Sequence, residues 1–233
     1  MKRRLCLVLF LLMLVTCVTA SGEAADWNYD ANYGILRGYN GAGGDVVVPG
    51  ELDGFTVDVI GVSVFRGETI TSLTLPETVL ELRSNAISTC DNLTRVSLPQ
   101  SLVVINRMNF FSCTVLTEVT IPAGVRYIGD ASFRYCESLR KITFEGVCPA
   151  IDIDCFSLPE GATAYVPDDQ LDAYIAAFEN AGSEVSVQPS GKNAVIVENN
   201  GYVESEFDFD ASTGTITSYN GYATYLAIPE TIG

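Results

Sequence analysis

Apolar positions in the middle of the chain follow one recurring pattern, L-x-x-L/V/I-x-L/I/F. Its instances are Ile70-Leu73-Leu75, Leu93-Val96-Leu98, Leu116-Val119-Ile121 and Leu139-Ile142-Phe144. The alternation that closes each instance is that of a short strand with one buried face. Pro76, Pro99 and Pro122 follow three of them. Proline has no amide proton to donate, so it marks where each strand leaves its ladder. These prolines are 23 residues apart, as are Cys90, Cys113 and Cys136, and Leu93, Leu116 and Leu139. The segments "CDNLTRVSLPQSLVVINRMNFFS", "CTVLTEVTIPAGVRYIGDASFRY" and "CESLRKITFEG" superpose without gaps. A preceding copy, "VIGVSVFRGETITSLTLPETVLEL", joins them after one deletion between Phe65 and Ile70. Agreement at so many independent positions defines an internal repeat.

The other half of each repeat carries further apolar anchors, Ile105 with Phe110 and Ile128 with Phe133. They predict a return side that points into the same core. One coil cannot bury its own apolar face, whereas coils stacked at about 4.8 Å can, so the period predicts a parallel solenoid.

The motif L-x-x-L-x-L-P followed by I-G-x-x-A-F-x-x-C resembles the leucine-rich repeat of BspA-like bacterial surface proteins. "YIGDASFRYCESLRKITF" (Tyr127 to Phe144) is the nearest copy, with Ser132 in the alanine place. The coil beginning at Leu82 departs most, having "LRSNAIS" where I-G-x-x-A-F would stand. Counting caps, the resemblance spans roughly residues 29–187. It implies a curved solenoid, mainly β with little helix, together with export and a cell-surface role in binding proteins or glycans.

A solenoid needs both ends covered. "YDANYGILRGYNGAGGDVVVPGELDGFTVDVIG" (Tyr29 to Gly61) reads as two short strands around the turn Gly41 to Gly44, which makes residues 26–58 an N-terminal cap before repeats over 59–146. Residues 147–189 read as a C-terminal cap, with a strand in "ATAYVP", a helix over about 168–181, and "EVSVQP" as a further strand. Asp168 or Asp169 is the expected N-cap, Leu171, Tyr174, Ile175 and Phe178 the covering face, and Gly182 the stop.

The two ends of the chain carry other signals. Lys2, Arg3 and Arg4, the apolar run Leu5 to Val15 and Val18-Thr19-Ala20 form a signal peptide over residues 1–20. "LVTC", ending at Cys17, is the competing reading, a lipoprotein signal with a lipid anchor. The run is shorter than the roughly 20 apolar residues of a membrane span. Residues 190–233 read as a linker and the truncated start of a second module. Laid over the N-terminal cap at an offset of 180, Asp30, Ala31, Gly34, Tyr39, Asn40, Gly41 and Pro49 recur as Asp210, Ala211, Gly214, Tyr219, Asn220, Gly221 and Pro229. The expectation is that the gene product continues beyond Gly233 into a second solenoid, and that the last forty or so residues are the least ordered of the mature chain.

Charge narrows the partners. The chain has a formal net charge of −16, and residues 1–20 hold three basic and no acidic residues, so the mature chain carries −19. Such a surface repels nucleic-acid phosphates and anionic membranes. The repeats are close to balanced, with eight basic and seven acidic residues over 59–144, against one and fifteen over 145–233. With no histidine, the Ser-His-Asp and Cys-His catalytic pairs and histidine metal ligands are absent. No G-x-S-x-G, P-loop or G-x-G-x-x-G occurs, so neither enzyme activity, nor a cofactor, nor a metal is expected. "DFDASTG" (Asp208 to Gly214) matches only the start of a calcium loop and reads as a solvated turn. The cysteine column reads as buried free thiols, since stacked Cβ atoms lie wider than the roughly 3.8 Å a disulfide prefers. Cys148 and Cys155 stand outside the period, and their pairing stays open.

Strand residues that alternate with the buried ones nominate the binding face. One outward column reads Ser72, Arg95, Glu118, Lys141, and its neighbour Thr74, Ser97, Thr120, Thr143. The hydroxyls can hydrogen-bond sugar or peptide, and the mixed charges can set partner choice. Ordinary solvated strand faces, with threonine present for β-propensity, account for the same residues. Two functions follow: a non-catalytic adhesion or recognition module for a host or neighbouring-cell protein or glycan, or a structural spacer displaying downstream modules. An accessory module of a carbohydrate-active enzyme is the remotest reading.

Overall fold

The structure, a computed structural model, describes residues 26–195 and the backbone of two further strands, Phe207–Asp210 and Thr215–Tyr219. The signal-peptide region with Cys17, and most of the tail, lie outside the described residues. Among those described, no helix is long and apolar enough to cross a membrane.

The repeat folds into a parallel β-solenoid. Each coil carries one longer strand, a turn, a two-residue return strand and a tip leading to the next strand. The return strands Val59–Ile60, Glu81–Leu82, Val104–Ile105, Tyr127–Ile128 and Ala150–Ile151 form one continuous parallel ladder. At its N-terminal end the antiparallel hairpin Trp27–Asp30/Ile35–Tyr39 joins through Ile35 beside Val59. The cap therefore begins one strand earlier than the glycine-rich turn indicates. The strands flanking that turn, Ile35–Tyr39 and Gly44–Val47, pair with different sheets rather than with each other.

Register turns the 23-residue period into columns of like side chains. Leu36, Ile60, Leu82, Ile105 and Ile128 are buried on the return side, facing Leu73, Val119, Ile142 and Ala164 of the strand side. Phe110, Phe133 and Phe156 stack face to face, with centroids 4.9 and 5.0 Å apart. Trp27, Tyr39 and Phe65 close the N-terminal end, and Phe144, Phe156, Tyr174 and Phe178 the C-terminal end. Burying a large apolar side chain contributes about 1.5–3 kcal/mol, so both ends are held chiefly by aromatics.

The tips require unusual backbone. Ser63, Asn85, Met108, Ala131 and Asp154, and further on Thr89, Ser112 and Tyr135, have positive φ. Each such non-glycine residue costs roughly 1–2 kcal/mol. The conformation aims the amides along the stack: Met108 N–H donates to Asp130 O at 2.8 Å, and Ser112 N–H to Arg134 O at 2.8 Å. The glycine of the I-G motif has a different cause. A Cβ on Gly61 would lie 2.5 Å from Leu36 O, and one on Gly129 would lie 2.6 Å from Arg107 N. At these two positions adjacent coils pass too closely for a side chain, whereas the coils between them hold Arg83 and Asn106 in the equivalent place.

The C-terminal cap corrects two expectations. Asp168–Gln170 is a 3-10 turn preceding the α-helix Leu171–Asn180, and neither aspartate caps that helix. Instead Asp168 Oδ1 accepts from Gly191 N–H at 2.8 Å and Asp169 Oδ1 from Ala194 N–H at 2.7 Å. The acids thus hold the segment that follows Ser186–Pro189, the last strand of the solenoid sheet. On the helix, Tyr174 and Phe178 are buried whereas Ile175 is exposed, so the covering face is narrower than its apolar content indicates. In the tail, Phe207 pairs with Tyr219 and Asp210 with Thr215, with a bulge between Asp208 and Phe209. The N-terminal hairpin has the same register and bulge 180 residues earlier, Trp27 with Tyr39 and a bulge between Asn28 and Tyr29.

One coil junction is weaker than the rest. The strand-side sheet is interrupted: Gly44–Val47, Ile70–Thr74 and Arg95–Ser97 form one ladder, and Glu118–Ile121, Lys141–Phe144, Thr163–Val166 and Ser186–Pro189 another. Val96 and Leu98 pack against the core but are half-buried where Val119, Ile121, Ile142 and Phe144 are buried, so Arg95–Ser97 is covered less completely. At the preceding junction, where the strand ladder is intact, side chains supply cross-coil bonds on the return side. Asn106 Nδ2 donates to Glu81 Oε1 at 2.7 Å, and Asn109 Nδ2 to Leu82 O at 3.2 Å and Asn106 O at 2.7 Å. Both asparagine Oδ1 atoms remain buried without a partner. One coil later Ser132 fills the place of Asn109, and its hydroxyl donates to Gly129 O at 2.7 Å and Asn106 O at 3.0 Å, leaving no such orphan.

All five cysteines among the described residues are free, Cys148 and Cys155 included. Cys90 Sγ donates to Phe65 O at 2.9 Å, Cys113 Sγ to Ile87 O at 3.2 Å and Cys136 Sγ to Phe110 O at 3.0 Å. The column therefore combines apolar packing with a thiol-to-carbonyl bond across each junction. Burial pushes the Cys136 thiol up to about 12 and the Cys148 thiol to about 11, and holds Cys155 well above its ordinary value.

Two outcomes are expected. In hydrogen exchange, amides of Arg95–Ser97 and Glu118–Ile121 exchange about tenfold or more faster than those of Lys141–Phe144, because only the latter lie between bonded strands. Uniform protection across the three strands would contradict the weak junction. The raised thiols make folding favour the protonated form, so their stabilisation is intact below pH about 9 and is lost as pH rises toward about 12. Denaturant midpoints should fall across that window, and Cys136→Ala should flatten the fall.

Candidate strand-face site

The outward positions of the longer strands are set by the pleat: with Leu73, Val119 and Ile142 inward, their neighbours point to solvent. Ser72 lies beside Arg95 and Thr74 beside Ser97 in one ladder. Glu118 lies beside Lys141 and Thr120 beside Thr143 in the other. The sequence places all four members of each column in one continuous row. The interruption between Arg95–Ser97 and Glu118–Ile121 divides each row into two pairs instead, since strand alternation sets which way a side chain points but not whether neighbouring coils bond.

Each half has its own electrostatics. In the first, Asp45 stands beside Ser72 and accepts hydrogen bonds from the Ser72 hydroxyl at 2.6 Å and the Thr71 hydroxyl at 2.9 Å. Those two bonds, with a smaller contribution from Arg95, hold its carboxyl below the usual carboxylate range. In the second, Lys141 Nζ lies 3.9 Å from Glu118 Oε2 with both side chains exposed. Exposed pairs of this kind contribute at most about 1 kcal/mol, which leaves both charges available to a partner. Lys141 Nζ also lies 6.0 Å from the centroid of the Tyr165 ring.

Asp45 and Tyr165 are rungs that repeat matching missed. Tyr165 extends the hydroxyl row beside Thr143, and Thr163 extends the charged row beside Lys141. These rows therefore do include an aromatic. The signal was present in "ATAYVP", whose alternation places Tyr165 outward once its strand is aligned with the repeats. Among the described residues no three His, Cys, Asp or Glu side chains converge to hold a metal ion. Chemically, the face is a surface of hydroxyls, mixed charge and one aromatic.

Comparison with known proteins agrees with this geometry. The family model described as the BspA-type leucine-rich repeat region matches residues 54–171 in six copies. No curated protein matches the chain. Among solved structures, a leucine-rich repeat protein from Bacteroides capillosus is 29% identical, covering 52% of this chain and 99% of that one, with a TM-score of 0.45. A leucine-rich repeat protein of T. pallidum is 20% identical over 72% of this chain and 96% of its own, with a TM-score of 0.42. The pneumococcal vaccine antigen PcpA is 17% identical over 74% of this chain and 48% of its own, with a TM-score of 0.52, a likeness of fold alone. With just over half of its length matched by that repeat model, and its coils stacked as a solenoid, the chain belongs to the BspA-type leucine-rich repeat family.

Proposed function

We propose that this is an exported surface protein that binds a macromolecular partner, protein or glycan, through the strand face, without catalysis. The observation that carries the reading is the strand face itself. Glu118, Thr120 and Lys141 are exposed on strands whose alternate residues are locked in the core, and Arg95 and Ser97 are exposed on the strand before them. A preorganised surface of this kind loses little entropy on binding. The basic, apolar and small-residue order of residues 1–20 supports export. A second reading, the spacer in a multi-module array, is favoured by the tail hairpin that repeats the N-terminal hairpin bond for bond at an offset of 180.

Charge reversal separates the two. In assays against extracellular matrix proteins and polysaccharides, Arg95→Glu and Lys141→Glu should each weaken a bound partner by about tenfold with the melting temperature unchanged. Binding indifferent to both substitutions would remove the strand face as the site. A correctly folded chain with no partner at all favours the spacer.

A further inference from the structure

Away from the strand face, the coil tips form two adjacent columns. The first holds Arg66, Ser88, Phe111 and Arg134, and the second Gly67, Thr89, Ser112 and Tyr135, all four of the latter with positive φ. Small residues occupy that strained second column in three coils. The fourth places a tyrosine there with φ of 62° and its side chain 49% exposed. The ring of Tyr135 meets that of Phe111 edge to face, with centroids 5.2 Å apart, and the Arg134 guanidinium sits 5.0 Å from its centroid.

The guanidinium is held by stacking alone. Ion pairs among the described residues join Arg37 to Asp30, Arg83 to Glu81 and Lys141 to Glu118, and Arg134 takes part in none of them. In a chain with 29 acidic residues, an arginine lacking a carboxylate partner but fixed over a ring has its N–H edges turned to whatever arrives from solvent. The Ser112 hydroxyl stands one coil away, its backbone amide bonded to Arg134 O at 2.8 Å. Phe111 is half-buried and braces the exposed ring from the neighbouring coil.

We propose that Phe111, Ser112, Arg134 and Tyr135 form a subsite for a carboxylate-bearing sugar residue of an acidic glycan, separate from the strand face. The exposed Tyr135 ring, braced by Phe111 at a steep angle, offers a single face on which the C–H face of a pyranose stacks beside the guanidinium. The planar guanidinium matches a carboxylate in two parallel hydrogen bonds, and the hydroxyl can serve a ring substituent. The size of the patch favours a sugar over a protein. From Val62 to Ile153 the exposed large apolar side chains are Val62, Val115, Tyr135 and Ile153, spread over different coils, and Arg107 and Glu137 beside the tip are exposed and charged. A protein partner needs about 800 Å² per side, whereas one ring accommodates one sugar.

The glycine at position 67 supplies the control. Tyr135→Gly suits the positive φ and gives the coil the residue its first copy already uses, so it removes the platform without straining the backbone. The full chain is titrated by calorimetry with tetragalacturonate, a hyaluronan tetrasaccharide and sialyllactose, and with maltotetraose and lactose as neutral probes. At least one acidic probe should bind, about tenfold or more tighter than the neutral ones. Arg134→Gln and Tyr135→Gly should each weaken it by about tenfold or more at unchanged melting temperature, while Arg95→Glu and Lys141→Glu leave it intact. Three results would overturn the proposal: no acidic probe binding, binding that survives both tip substitutions, or equal competition by a polyglutamate peptide. Because the strand-face variants are measured alongside, failure of this subsite is distinguishable from failure of the strand face.

Discussion

Everything in this molecule depends on backbone hydrogen bonding between successive coils. Bonded strands must lie close to 4.8 Å apart, and that spacing forces each residue of one coil onto its equivalent in the next. Columns of leucine, cysteine and phenylalanine follow, as do the exclusion of a Cβ at Gly61 and Gly129 and the positive φ of the tip residues whose amides bond along the stack. The cysteine column shows how fully the constraint is used. A thiol at Cys90, Cys113 or Cys136 is small enough for the stack and still donates to a carbonyl of the preceding coil.

Side chains reinforce the stack around the one interruption. At the junction between Arg95–Ser97 and Glu118–Ile121 the strand ladder is missing, and the Ser132 hydroxyl bonds Asn106 O across the same two coils, while Asn106 and Asn109 bond back to the coil before. Unpaired buried acceptors cost about 1–3 kcal/mol each, so the orphaned oxygens of Asn106 and Asn109 offset part of what their bonds contribute. The same junction divides the candidate strand-face residues into Ser72, Thr74, Arg95 and Ser97 on one side, and Glu118, Thr120, Lys141 and Thr143 on the other. The solenoid thus presents two short rigid faces, and a ligand spanning both must cross the least secured part of the stack.

Charge is distributed to match. The acidic C-terminal cap uses two of its carboxylates, Asp168 and Asp169, to fasten the segment after the last strand. The balanced repeats keep exposed arginines on both the strand face and the tips. Arg95 lies one rung beyond Ser72 from Asp45 and helps hold its carboxyl low, and Arg134 lies over Tyr135.

Period, fold family, the inward residues of each coil and the outward columns were legible in the sequence, because stacking requires equivalent positions to meet the same surroundings and so to share chemistry. The equivalence of residues 207–219 to the N-terminal segment 180 residues earlier was legible in the matching residues, and the two strand pairs share one register. Tertiary structure alone decided what depends on contacts between coils rather than on position within one. The missing ladder beside Arg95–Ser97, the carboxylates of Asp168 and Asp169 spent on Gly191 and Ala194, Tyr165 as an added rung, and Tyr135 gathered with Phe111 and Arg134 are all of that kind. A period states which residues are equivalent; only the packed coils decide how well each equivalent pair bonds, and what the misfits expose.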